Sequence, residues 1–156
     1  MSSVTERHPT VKRIRNQGDW KRASGSGIIG AVVMAAAILA MKTPTLAVAI
    51  PSLYGLTPPP NIGFGFIVHL SHGAVLGVLY GGIIAAFDIQ TRIQRIAAGV
   101  AWGVATWVGL AAIVMPVWLS VIGSPANPPF PNFAPPSLLW HFLYGVITAV
   151  IYDAVV

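Results

Sequence analysis

The chain has 156 residues, 55% of them hydrophobic and only 8% charged, with a mean hydropathy of +0.74. About a quarter of the residues in a soluble domain are charged, so this is a membrane composition, with almost nothing left over for a soluble domain. No cysteine is present, which excludes disulfides, thiolate nucleophiles and Cys-ligated metal or iron–sulfur centres.

Residues 1–26 form a polar, basic tail. Arg7, Lys12, Arg13, Arg15, Lys21 and Arg22 precede the first apolar run. Lys12, Arg13, Arg15, Lys21 and Arg22 can sit on anionic lipid headgroups, where each is worth about 1 kcal/mol; the plainer alternative is a solvated tail whose charges only set topology. These charges are not read as a nucleic-acid footprint. The basic start, the apolar run 28–41 and Ala47-Val48-Ala49 imitate a secretory leader. The same stretch has a counterpart later in the chain, at 99–121, and is therefore read as a span.

A first hairpin is expected over 27–87. Its spans cover about 26–42 and 62–87, each near the 20 apolar residues a crossing needs. Thr43-Pro44 interrupts the first span, because proline removes a donor and disfavours helix at the residue before it. The short apolar segment 46–54 either extends that span or lies in the interface. Thr57-Pro58-Pro59-Pro60 reads as a stiff polyproline II turn. Residues 88–95 form a loop. A second hairpin is expected over 96–156, with spans at about 96–122 and 137–153 and a proline-rich loop at 123–136. Pro116 should kink the third span, and Ser137 can cap the fourth. No ten-residue alternation suggests a β-barrel. The expected fold is all-α, with four transmembrane helices.

Arg92 and Arg95 lie in the 88–95 loop, whereas the connections 57–61 and 123–136 carry no Lys or Arg. The positive-inside rule puts both termini and the 88–95 loop in the cytoplasm of a plasma-membrane protein. Lys42 sits at the opposite end, where its stem can snorkel.

Residues 27–80 align with 99–152 at a constant offset of 72, with 11 identities in 54 positions. Chance in so apolar a composition gives roughly half that. The weight lies in the residues matched: Gly27/Gly99, Pro44/Pro116, His69/His141, Gly73/Gly145 and Tyr80/Tyr152. The chain reads as a tandem duplication of a two-helix hairpin. Gly73, Gly77 and Gly81 form a stripe on span two, and Gly145 and Ala149 repeat it on span four; Gly99 and Gly103 open span three. Small residues four apart let backbones approach in lipid. Spans two and four run in the same direction, so their stripes are expected to face each other across the repeat axis.

His69, His72 and His141 are the polar residues placed deepest. Polar groups within a bilayer are costly and tend to be functional. One reading has them buried and bonded to carbonyls, Ser71 or Thr148. The sharper one has His69 and His141 holding a b-type haem or a quinone, with His72 close by. A metal site is disfavoured, since no carboxylate is near to orient the rings. Close glycine contact and a haem exclude one another, because a haem ligated from both sides holds helices apart. Trp118, Trp140 and Tyr54 fall where an aromatic belt is expected, and Trp102 and Trp107 fall deeper. Phe130 and Phe133 are placed to touch the interface or a partner. No catalytic set or phosphate loop is present.

Gly27-Ile-Ile-Gly-Ala-Val-Val-Met34, the piece Leu46–Gly55 and Trp140-His-Phe-Leu-Tyr-Gly145 with Tyr152 resemble small uncharacterised four-helix integral membrane proteins of archaea and bacteria. The resemblance implies a four-span fold and no activity. The function expected is non-catalytic: helix packing, as an accessory subunit of a larger membrane complex or as a homo-oligomer. The alternatives are an electron-transfer subunit using His69 and His141, and a small channel or carrier.

Overall fold

The computed structural model describes the backbone of residues 9–155 and the side chains of residues 19–155. The side chains of Lys12, Arg13 and Arg15 lie outside the described residues, and so does their expected contact with lipid headgroups. The elements are α1 (Pro9–Pro44), a π-helical stretch (Thr45–Ala49), α2 (Ile50–Ser52), α3 (Ile62–Ala86), α4 (Arg92–Thr106), a second π-helical stretch (Trp107–Val114), α5 (Met115–Val121) and α6 (Pro135–Val155). They make four helices long and apolar enough to cross a membrane: Asp19–Ser52, Ile62–Ala86, Arg92–Val121 and Pro135–Val155. The shortest has 21 residues, about 32 Å at the helical rise, against a hydrocarbon core of about 30 Å. The apolar segment after Pro44 extends the first helix; only Lys42 departs from helical geometry within α1, at φ −156° and ψ 68°.

Prolines dictate where the helices change form, and the effective pair is not the one the constant offset suggests. Pro51 has no N–H to give the carbonyl of Ala47, four residues back. Pro116 likewise leaves the carbonyl of Ala112 without its helical donor. Each orphan lies in a π-helical stretch, and each accepts from an asparagine backbone amide in the next connection: Asn61 N–H to Ala47 O at 2.8 Å and Asn132 N–H to Ala112 O at 3.0 Å. The carbonyls are therefore satisfied inside the protein, as a bilayer requires. Pro51 and Pro116 are 65 residues apart, not 72. Pro44, the expected counterpart of Pro116, sits instead at the kink beside Lys42.

The ends of the helices follow local chemistry. Gly55 (φ 67°) and Gly123 (φ 65°) close α2 and α5. Each completes a Schellman motif: Gly55 N–H reaches Ser52 O and Leu56 N–H reaches Pro51 O, while Gly123 N–H reaches Ser120 O and Ser124 N–H reaches Leu119 O. Asn61 caps α3 through its side chain, and Thr91 with Gln94 forms a capping box on α4. Ser137 does not cap the fourth helix. That helix begins at Pro135, and Ser137 is buried in its first turn. The Thr57–Pro60 turn bends at Pro58 and Pro59 instead of running out as polyproline II.

The first helix is the hub of the bundle, packing on α3 and on α6, while α4 packs on α6. Helices two and four run in the same direction, since Tyr144 meets Gly73 and, further along both, Tyr152 meets Tyr80. One apolar cluster gathers Met34, Ile38, Leu46, Ile50, Val68, Trp140 and Tyr144. A second, towards the 88–95 loop, gathers Ala23, Tyr80, Ile84, Ala149 and Tyr152.

Candidate functional site

The small-residue stripes do not face each other across helices two and four. Each is turned towards the other helix of its own hairpin. Gly73 and Gly77 lie against Gly27 of α1, and Gly81 lies against Ala23. A β-carbon on Gly77 would stand 2.8 Å from the Gly27 Cα, and one on Gly27 would stand 2.7 Å from the Gly77 Cα. In the second hairpin Gly99 lies against Gly145 and Ala149, Gly103 against the backbone of His141, and Gly145 against Gly99 and Gly103. Without side chains at these crossings, dispersion contacts form between the backbones themselves, and these drive association in lipid. Gly27 and Gly30 also belong here. Gly30 faces Thr148 and Tyr144 of α6, which lets the first and fourth helices close together. The Gly-x3-Gly/Ala spacing from Gly27 to Ala31 was visible, but it had no second glycine to announce it.

The three histidines go to three different partners. His69 is buried on α3, with Nε2 3.1 Å from the Ala31 carbonyl of α1. His72 meets the Tyr54 hydroxyl at 2.9 Å. His141 turns Nδ1 to the Ser137 carbonyl, 2.7 Å away on its own helix. No group of three or more His, Cys, Asp or Glu side chains is placed to hold a metal among the described residues. Ligation through His69 Nε2 would first break its bond to Ala31, and the ring would have to enter where α1 and α3 are in backbone contact.

Tyrosines supply cross-helix bonds that the sequence did not announce. The Tyr144 hydroxyl donates to the Gly73 carbonyl at 3.0 Å, joining α6 to α3. The Tyr80 hydroxyl donates to the Arg95 carbonyl at 2.7 Å, joining α3 to α4. At the same end Asp153 receives Arg95 at 2.8 Å and Arg92 at 3.5 Å. Asp88 takes a positive φ of 48° at the close of α3 and bonds to Gln90. Trp140 is buried instead of lying in a belt, and its indole N–H points to the Met41 sulfur at 3.2 Å. Trp118 and Tyr54 are about half exposed or more, at 48% and 61%. Phe133 packs edge-on against Trp107, and Phe130 stays exposed.

No protein-family model matches the chain, and no curated protein or solved structure is significantly similar to it.

Proposed function

We propose that this is a non-catalytic multi-pass protein of the plasma membrane that acts as a packed body, an accessory subunit of a larger membrane complex or a homo-oligomer. One observation carries the reading: the small residues, and the polar atoms of His69, Tyr80 and Tyr144, are taken up within the chain's own bundle, while Trp102, Trp107 and Thr148 keep buried polar atoms without a partner. Gly27, Gly73 and Gly77 close one hairpin and Gly99, Gly145 and Ala149 the other, while His69, Tyr80 and Tyr144 spend their polar atoms on backbone carbonyls. The interior is filled by Tyr80, Ile38, Leu46 and Leu119, all fully buried. A bundle filled in this way favours packing over a carrier path. The His69–Ala31 bond and the glycine contact favour it over haem.

The matching contacts Gly27–Gly73 and Gly99–Gly145 support descent of the two hairpins from one duplicated unit. The offset of 65 at Pro51 and Pro116 then reflects two turns of helix gained in one copy and a longer loop in the other. Lys21, Arg22, Arg92 and Arg95 gather at the end bearing Asp153, and Lys42 alone of the described cations lies at the other, which supports cytoplasmic termini.

The deciding experiment is purification from native membranes in mild detergent after cross-linking. A defined partner or a discrete oligomer is the expected result. A monomer that brings nothing down overturns the proposal. A Soret band in the same sample, lost in both His69→Ala and His141→Ala, would install the electron-transfer reading in its place. The topology is checked separately by single cysteines at Gln90 and Ala126 in this cysteine-free chain; only the Ala126 position should react with an impermeant thiol reagent in intact cells.

A further inference from the structure

Where the two hairpins meet at the proline-loop end, a cleft of about 510 Å³ opens between the turn after α2 and the turn after α5. Its volume lies within the usual range for small-molecule sites, about 300–1,000 Å³. Both hairpins build it, with Ser52, Tyr54 and Thr57 from the first and Trp118, Gly123 and Ser124 from the second. The hydroxyls of Ser52 and Thr57 are buried, at 2% and 9% residue exposure, and neither has a hydrogen-bond partner within the protein. Leaving a buried hydroxyl unpaired costs about 1–3 kcal/mol, so two at one cleft call for an explanation. The polar groups around them are already in use within the protein: Ser52 O takes the Gly55 amide, Leu53 O takes the Trp118 indole N–H at 3.0 Å, and Ser124 Oγ takes the Ala126 amide.

The lining names the chemistry. No residue of the cleft is charged, so nothing there offsets the desolvation of an ionic ligand. A hydroxyl both donates and accepts, and two unpaired hydroxyls are best met by a group that does both. The Trp118 ring, fixed by its bond to Leu53 and half exposed, offers an apolar face beside them. The cleft lies at the end of the bundle, where headgroups meet water in either leaflet. The geometry points to a binding site for an uncharged polyhydroxyl ring, whose hydroxyl edge meets Ser52 and Thr57 once their buried hydroxyls turn to the cleft and whose C–H face lies on Trp118. The source is a neutral glycolipid headgroup or a free sugar.

The full-length protein in phosphatidylcholine nanodiscs provides the test. A photoreactive glucosyl diacylglycerol is cross-linked and the adducts are mapped by mass spectrometry, with a photoreactive phosphatidylcholine of the same chains for comparison. Adducts of the glucolipid are expected at 52–58 and 118–125, several-fold above those of phosphatidylcholine. Excess methyl glucoside should compete if the headgroup alone suffices, and should leave labelling intact if the acyl chains are needed; the two results assign the source. Ser52→Ala with Thr57→Val should lower labelling about ten-fold or more, as expected for two lost hydrogen bonds. Trp118→Phe, which keeps a ring and the fold but frees it from Leu53, should lower it less. Equal labelling by the two lipids, labelling spread along the spans, or labelling unchanged in the double variant overturns the site. So does loss in the double variant together with a lowered melting temperature while Trp118→Phe labels as wild type.

Discussion

The two hairpins solve one problem with different means. Both bring a pair of helices to backbone contact, at Gly27–Gly73 in the first and Gly99–Gly145 in the second. The first adds a polar bond across the crossing, from His69 to the Ala31 carbonyl. In the second the matching histidine bonds back to its own helix, and Gly103 fills the space where Ala31 stands in the first. The second is tied instead at the 88–95 end, where Arg95 of α4 meets Asp153 of α6. Identical residues at matching positions therefore do not guarantee identical roles: close packing is present in both hairpins, while the polar fastening differs.

The largest effect should come from putting a branched side chain at a crossing. Gly27→Ile drives a β-carbon into Gly73 and Gly77, all of it backbone that cannot turn aside, and a loss of about 3 kcal/mol or more is expected. Gly99→Ile should do the same to the second hairpin. Gly82→Ile, next to the stripe but with nothing near its β-carbon, should change stability by less than about 0.5 kcal/mol. Unfolding in mixed detergent and SDS measures all three. Equal melting of Gly27→Ile and Gly82→Ile would break the comparison at its root.

Next comes the fastening peculiar to the second hairpin. The Arg95 and Asp153 side chains keep only 18% and 16% of their exposure, so Asp153→Asn leaves a mostly buried guanidinium short of its charge partner. A cost of about 1–3 kcal/mol is expected, between the values for exposed and buried pairs. Hydrogen exchange should loosen at the start of α4 and the end of α6 while the Gly27–Gly73 crossing keeps its protection. Uniform loosening would mean that the two hairpins are not separately fastened.

A third test concerns the proline-orphaned carbonyls. Asn132→Pro removes the amide that serves Ala112, leaving a buried carbonyl unpaired at about 1–3 kcal/mol. Asn132→Ala keeps the amide and should cost little. If the two variants melt alike, the backbone bond is not what holds the loop to the third helix.

The spans were legible because length and hydropathy act locally: four apolar stretches, with Pro44 and Pro116 near their ends, need no tertiary information. The stripe formed by Gly73 and Gly77, and the four-residue spacing of Gly99 and Gly103, were legible for the same reason, since spacing on one helix fixes which side they share. Which helix that side meets was not legible. The stripe on α3 turns to α1 and meets Tyr144 and Tyr152 of α6, not the matching stripe there, while Gly30 of α1 faces Thr148 and Tyr144. The Pro51–Asn61 and Pro116–Asn132 pairings were hidden too. An ungapped register places Gly123 opposite Pro51, and only the hydrogen bonds from the loops show that Pro51 and Pro116 have like surroundings.

The smallest effect separates the two matched histidines. His69→Leu removes a bond between helices, and such bonds average about 0.6 kcal/mol in membrane proteins. The Ala31 carbonyl keeps its place in the α1 ladder, which limits the loss. His141→Leu removes a bond within one turn of one helix, which can be lost without parting α4 from α6. The expected order is thus a small destabilisation for His69→Leu and less for His141→Leu, with the gap at the edge of what unfolding in SDS resolves. Thermal melting of the double variant sharpens it: additive losses mean that the two rings act independently in separate hairpins. A coupling above about 0.5 kcal/mol would mean that the two rings act together across the hairpins, and packing alone would no longer account for them.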